Sequence, residues 1–169
     1  MAVPLSALLL LAAPLAASPA APEPPLDEAK RFARGSNAFG IDLFRRLPAP
    51  GRNVVVSPAS MTTGLAMAWG GAKGETARGM KAVLRFEGTP ESVMRAAGRL
   101  SRELVDPARP IVFRVANRLF GEKTFQFEAP YLEAARAAYG AVLEPVDFRT
   151  APESARGLIN GWVEAQTEK

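Results

Sequence analysis

The scarcity of strand-forming segments is the feature that most constrains the fold of this 169-residue chain. A β-branched run or an alternation of side chains predicts strands over 53–56, 111–120 and 141–146. Elsewhere apolar residues recur with helical spacing. Because the strands do not alternate regularly with the helices, the pattern predicts an α+β fold with strands in more than one sheet. Two or three strands cannot make a well-buried sheet, so the fold is also predicted to be incomplete.

Six helices are predicted from the spacing of apolar residues. The first begins at the N-cap Asp27, and the second begins at Pro58 after the N-cap Ser57 and continues to Gly70–Gly71. The others are predicted to begin after Gly74, at Thr89–Pro90, near Pro130 and at Pro152. The residues predicted to face inward are Ala29, Phe32, Phe39, Leu43 and Leu47 in the first helix, Met80, Val83 and Leu84 in the third, Val93, Ala96, Ala97, Leu100 and Leu104 in the fourth, Leu132, Ala135 and Tyr139 in the fifth, and Leu158, Ile159 and Trp162 in the last.

The N-terminal segment has the pattern of a targeting signal. No charged side chain precedes Glu23, and residues 5–17 form an almost unbroken apolar run. A run of about a dozen residues is too short to span a bilayer but matches the apolar core of a secretory signal. The sequence therefore predicts a signal peptide over 1–20, a Pro-rich linker over 21–26 and a secreted domain, extracellular or periplasmic, over 27–169. An uncleaved anchor or a misassigned start is the alternative, because basic residues are missing at the beginning.

The composition excludes several kinds of catalytic site. The chain contains neither His nor Cys, which rules out Ser-His and Cys-His nucleophile pairs, thiolate chemistry and disulfides. Its acidic residues are scattered over separate elements, so no pair is singled out for acid-base catalysis. The segment Gly70–Thr76 resembles a phosphate loop, but Glu75 follows Gly74 where such a loop needs Lys. Carboxylate, Lys or Tyr catalysis stays open, but nothing in the sequence singles out a site for it. An enzyme is therefore the least favoured interpretation, and no cofactor or metal is expected.

The basic residues are dispersed and the net charge of +4 is modest, so nucleic-acid binding is not expected. One group stands out on the fourth helix, where Arg95, Arg99 and Arg102 occur at i, i+4 and i+7 and lie along one side. This face is typical either of contact with an anionic polysaccharide or a membrane surface, or of an ordinary solvated surface. The second interpretation is favoured, because three arginines without lysines are a weak signal. We expect no stable membrane insertion, and the sequence carries no signal for an oligomeric state.

Six short motifs follow one another along the chain after residue 36. They are Asn37–Phe39 with Leu43–Phe44, Asn53–Ser60, Gly71–Thr76, Ala116–Phe120, Val146–Phe148, and Ile159–Val163 with Thr167. In order and spacing this set resembles the serpin family of serine protease inhibitors. The resemblance implies the N-terminal part of that fold, with helices A to F. It also implies one strand of sheet B at Asn53–Val56 and the first two strands of sheet A at 141–146 and 111–120.

The resemblance also implies a function for the full-length protein. Serpins inhibit serine proteases, and sometimes cysteine proteases, through a reactive loop that is cleaved and then inserts into sheet A as a new strand. Ser57 and Ser60 would lie in the shutter region beneath the strands that part. The structural motif residues that the resemblance singles out are Asn53, Ser57, Pro58, Ser60, Gly74, Thr76, Asn117, Phe120, Asn160 and Trp162.

The serpin domain is more than twice as long as this chain, and the 169 residues do not include the reactive loop. We therefore expect the 169-residue chain to be inactive alone. The alternative is a non-inhibitory secreted binding module that contacts an anionic polysaccharide or a partner protein.

Overall fold

A computed structural model of the chain describes residues 26–47, 51, 53–105, 108, 110, 113–140 and 142–167. Helices dominate this part of the chain, and the predicted α+β class is confirmed. The elements are α1 (Leu26–Arg46), α2 (Pro58–Gly71), α3 (Gly74–Leu84), α4 (Pro90–Leu104), β1 (Leu119–Glu122), α5 (Ala129–Tyr139), β2 (Leu143–Val146) and α6 (Pro152–Thr167). The predicted signal and most of the predicted linker, over 1–25, lie outside the described residues. None of the described helices is long and apolar enough to cross a membrane.

Local hydrogen bonds explain where the helices begin. Ser57 caps α2, because its hydroxyl accepts from the backbone N–H of Ser60 at 3.4 Å and Pro58 occupies the first helical position. Thr89 and Ser92 form a reciprocal capping box at the start of α4, with bonds of 3.1 and 3.3 Å. These starts confirm the predictions from sequence.

The hydrophobic core lies between α1, α2, α3 and α4. The Phe86 ring stacks at 5.9 Å on Phe32 and lies 5.2 Å from the Trp69 ring, whose indole N–H donates to Ala77 O at 2.9 Å. Predicted inward-facing residues that are fully buried are Ala29, Phe32, Phe39, Leu84, Val93, Ala96, Ala97 and Ala135. The prediction is wrong for Leu47, Val83 and Leu158, which are 37%, 64% and 46% exposed. Leu47 lies just beyond the end of α1, and no described element covers the outer sides of α3 and α6 at Val83 and Leu158.

Two features fix α5 against the core. Its Tyr131 and Tyr139 hydroxyls donate to backbone carbonyls of α2, at Met67 O and Thr63 O. On its other side α5 crosses α4 at Gly98, where an added Cβ would overlap the Ala138 carbonyl oxygen. Glycine is therefore required at this crossing because the two backbones touch.

The sheet is smaller than the sequence predicts. β1 and β2 form a parallel pair in which Leu119 lies opposite Leu143 and Phe120 opposite Glu144. The predicted long strand over 111–120 is reduced to its end: residues 113–118 form no ladder, while the strand continues to Glu122, two residues beyond its predicted end. Residues 111 and 112 lie outside the described residues. Backbone pairing, rather than alternation, decides where a strand is formed.

The segment Asn53–Val56 also differs from the prediction. It forms no strand with the described residues, and Val55 is 96% exposed. A β-branched run favours extended backbone, but it becomes a strand only when a neighbour supplies hydrogen bonds. The described part of the chain supplies none for this segment.

Candidate functional site

The N-terminus of α2 brings together several of the predicted motif residues. The Ser57 hydroxyl donates to Ser60 Oγ at 2.9 Å, and both side chains are exposed, as is Asn53. Pro58 packs so closely on α1 that a Cβ added at Gly40 would overlap its ring. The resemblance places Ser57 and Ser60 beneath the strands that part, but no described strand covers them in this structure.

The buried hydroxyls lie one turn further along α2. Thr62 is fully buried, and its hydroxyl is hydrogen-bonded to Ser36 Oγ and to Pro58 O, both at 2.8 Å. Ser36 is itself buried in α1. This pair joins α1 to α2 inside the core, where an unpaired hydroxyl is costly. Sequence reasoning missed it, although Ser36 falls between Phe32 and Phe39 on the apolar face of α1, a signal that would have revealed its burial.

The face of the strand pair that meets α6 carries a compact aromatic and charged cluster. The Phe120 and Trp162 rings meet edge to face, with centroids 5.7 Å apart at 71°. The guanidinium carbon of Arg118 lies 5.7 Å from each ring centroid, and Arg118 Nη2 is 2.6 Å from Glu144 Oε2. The structure thus joins two predicted residues, Phe120 and Trp162, with two that the sequence analysis missed.

Of the two missed residues, only Arg118 could have been found from the sequence. Arg118 precedes Phe120 by two residues, and alternate residues of an extended segment share a face. Glu144 is the register partner of Phe120. The parallel register was not available from the sequence, so only Arg118 left a readable signal.

A cleft of about 410 Å³ lies beside this cluster. It is bounded by α4, the segment before β1, the end of α5 and α6, and its lining includes Asn117, Trp162, Arg102 and Gln166. Arg102 donates from Nη1 to Ala138 O at 3.0 Å across the floor between α4 and α5. Two predicted motif residues, Asn117 and Trp162, therefore line one cleft.

Ionised side chains tie the ends of both strands to the turn before α6. Lys123 Nζ lies 2.8 Å from Asp147 Oδ2, and Glu122 Oε2 accepts from the Phe148 N–H at 2.8 Å. The hydrogen bonds from Lys123 and then Thr150 hold the pKa of Asp147 well below its usual range, and Asp147 in turn raises the pKa of Lys123. Desolvation opposes ionisation of Glu122, but the hydrogen bonds from Thr124 and Phe148 outweigh it and lower its pKa.

The remaining motif residues are not part of the cluster around Phe120 and Trp162. Gly74 begins α3 with φ +58°, a conformation that glycine adopts without strain, and Thr76 is exposed in the first turn of that helix. Asn160 is exposed on α6. Among the described residues, no group of three or more acidic, His or Cys side chains could hold a metal ion.

The arginine face of α4 is partly engaged within the protein. Arg99 Nε lies 2.7 Å from Glu103 Oε1, four residues along the same helix. Arg102 contacts the end of α5, as described above, and Arg95 is half-buried. The three side chains share a helix, but two of them already have partners within the domain.

Taken together, the fold defines a helix-rich α+β domain in which a parallel strand pair lies against the last helix. A family model described as Serpin (serine protease inhibitor) matches residues 34–169. The chain belongs to the serpin family. Leukocyte elastase inhibitor from Equus caballus is 39% identical over 141 residues, which cover 82% of this chain and 37% of that protein.

Solved structures agree with this assignment. A cleaved Serpin 42Da superposes with a TM-score of 0.72 at 29% identity, covering 82% of this chain and 38% of the other. Human thyroxine-binding globulin superposes with a TM-score of 0.70 at 24% identity, covering 83% of this chain and 39% of the other, and shows the same fold. The chain thus spans well under half the length of the relatives that it matches.

Proposed function

We propose that this chain forms the N-terminal part of a secreted serpin-type inhibitor of serine endopeptidases, or of cysteine endopeptidases. The protein is then not an enzyme, since the target protease supplies the catalytic residues. The observation that carries the proposal is the parallel strand pair with α6 packed on it through Phe120 and Trp162. Membership of the family and the similarity to leukocyte elastase inhibitor support it.

The strand pair has a geometry that can accept another strand. β1 pairs with β2 along one edge, and among the described residues its other edge has no strand partner. An extended segment added to a free edge gains backbone hydrogen bonds and buries alternate side chains. In the completed protein, insertion of the cleaved reactive loop into the sheet that contains β1 and β2 would supply the energy for trapping the protease.

The 169-residue chain alone is proposed to be inactive, because the family's bait loop is not among its residues. The proposal is tested with a chimera in which residues 27–169 replace the matching segment of horse leukocyte elastase inhibitor. Incubated with a serine elastase, the chimera should form an SDS-stable covalent complex, and the 169-residue chain should form none. A chimera that unfolds cooperatively but is only cleaved, without a complex, would contradict the proposal.

Secretion is a separate part of the proposal and rests on the apolar run over residues 5–17. Expression of the whole chain in a secreting host should release a protein that starts between Ser18 and Ala21 by N-terminal sequencing. Retention of the intact N-terminus in the membrane fraction would instead support an uncleaved anchor.

A non-inhibitory binding module is the second candidate. Its support is that thyroxine-binding globulin, a protein named for ligand binding, has the same fold. The face formed by Arg95, Arg99 and Arg102 would contact an anionic polysaccharide. Changing all three to Ala should then lower retention on a heparin column, whereas unaltered retention would dismiss this candidate.

A further inference from the structure

The helix α6 is held to the rest of the domain by few buried contacts. Among its described residues only Ala155 is fully buried, while Leu158 and Val163 are 46% and 42% exposed. Burial of apolar area is the main source of helix docking energy. The few specific contacts that α6 makes therefore decide how firmly it is docked.

The start of α6 is anchored to the strand ends by polar contacts. The Phe148 N–H donates to Glu122 Oε2 at 2.8 Å, and the Thr150 N–H donates to Asp147 Oδ1 at 2.7 Å. Lys123 pairs with Asp147 from the end of β1. These bonds fix the turn over 147–150, which carries the chain from β2 into α6.

The second half of α6 is held at a different place, by Trp162. Its ring meets Phe120 on β1 and lies 5.7 Å from the Arg118 guanidinium carbon, which is equally far from Phe120. The pairing of Arg118 with Glu144 at 2.6 Å fixes the guanidinium over both rings. The side chains of Arg118 and Glu144 are only about a third exposed, at 31% and 34%, so solvent screens this pair less than a fully exposed pair.

We propose that Arg118 is a positioning residue for α6. Its contacts with Phe120, Trp162 and Glu144, together called the α6 latch, hold the second half of α6 on the β1–β2 pair. When these contacts are broken, α6 pivots at the 147–150 turn. The inference deepens the proposed function and rests on it only for its consequence, which is control over how readily α6 leaves the sheet. The latch itself is a property of the described chain.

The chemistry of the latch requires arginine. A planar guanidinium can lie against two aromatic rings and still donate to a carboxylate in its own plane. A lysine ammonium can pair with Glu144 but has no planar surface to place against the rings. Arg118→Lys should therefore weaken the latch in part, and Arg118→Ala should remove it.

Amide hydrogen exchange of the 169-residue chain, read by fragment mass spectrometry, tests the inference. Arg118→Ala should speed exchange in the second half of α6 on the order of fivefold, the size expected for one partly exposed cation–π and ion-pair contact. Glu144→Gln, which keeps the size of the side chain, should give a similar increase. Exchange in α2 and α4 should not change.

Arg156→Ala is the matched control. Arg156 pairs with Glu153 at 2.5 Å on the exposed side of α6, so its loss removes the same charge without touching the strand pair. The inference is overturned if Arg118→Ala leaves exchange in α6 unchanged, if exchange rises equally in α2 and α4, or if Arg156→Ala gives the same increase. None of these readouts depends on protease inhibition, so failure of the latch and failure of the chimera to trap a protease are separate results.

Discussion

Replacing Gly98 by Ala tests how closely α4 and α5 are packed. The added Cβ would overlap the Ala138 carbonyl oxygen, and this oxygen also accepts the Arg102 hydrogen bond. A backbone oxygen cannot rotate away as a side chain does, so the two helices must separate. Overpacking of this kind costs about 1–3 kcal/mol, and the upper end applies to a backbone contact. Subtracting a gain of about 1 kcal/mol in helix propensity leaves a net loss of about 2 kcal/mol.

The matched control is Gly79→Ala. Gly79 lies exposed within α3 and nothing lies within 4 Å of its added Cβ, so only the propensity gain of about 1 kcal/mol remains. The two Gly→Ala variants should therefore differ by about 3 kcal/mol in their free energy of unfolding, which is more than about a hundredfold in the unfolding equilibrium constant. Urea unfolding followed by circular dichroism and tryptophan fluorescence measures both. If Gly98→Ala is as stable as the unsubstituted chain, the described helix crossing is incorrect.

Two further predictions concern polar contacts. Thr62→Val leaves the buried Ser36 hydroxyl without its partner and should lower the free energy of unfolding in urea by about 1–3 kcal/mol. Ser36→Ala should lower it less, because Thr62 stays hydrogen-bonded to Pro58 O. The reverse order of the two losses would contradict the assignment. Asp147 has a lowered pKa in the folded state, so its stabilisation is present above about pH 4, where the unfolded carboxyl ionises, and is lost as the pH falls through the folded pKa. Asp147→Asn should therefore destabilise the chain at neutral pH, and this difference should shrink in acid; a difference that does not depend on pH would refute the linkage.

The helices could be predicted because their signals are local. Ser57 with Pro58, and Thr89 with Pro90, lie next to the helices that they begin, and the structure confirms both starts. What the sequence could not show was the partner across the core. Nothing near Thr62 indicates that its hydroxyl meets Ser36, 26 residues away. Helix boundaries are set by neighbours in the chain, whereas buried polar pairs are set by packing.

The strands were harder to place for the same physical reason. The pattern over 111–120 predicted extended backbone, but the ladder to β2 begins only at Leu119 and runs on to Glu122. The register of this pair decides that Glu144 faces Phe120, and hence that Arg118 finds a carboxylate. A site built across two strands and a helix therefore cannot be read from any one segment, even when each segment is correctly assigned.

The core and the α6 latch should respond independently to substitution. The residues of the main hydrophobic cluster come from α1 to α4 and from Phe86, and none of them belongs to α6, whose one fully buried described residue is Ala155. The latch joins Arg118, Phe120, Glu144 and Trp162, and it shares no member with that cluster. Sites without common partners usually contribute additively to stability. A chain that carries both Gly98→Ala and Arg118→Ala should therefore show the sum of the two losses in urea unfolding, while the faster exchange in α6 should match that of Arg118→Ala alone. A coupling energy above about 0.5 kcal/mol would mean that α6 is docked through the α4–α5 crossing as well, since Arg102 and Trp162 line the same cleft.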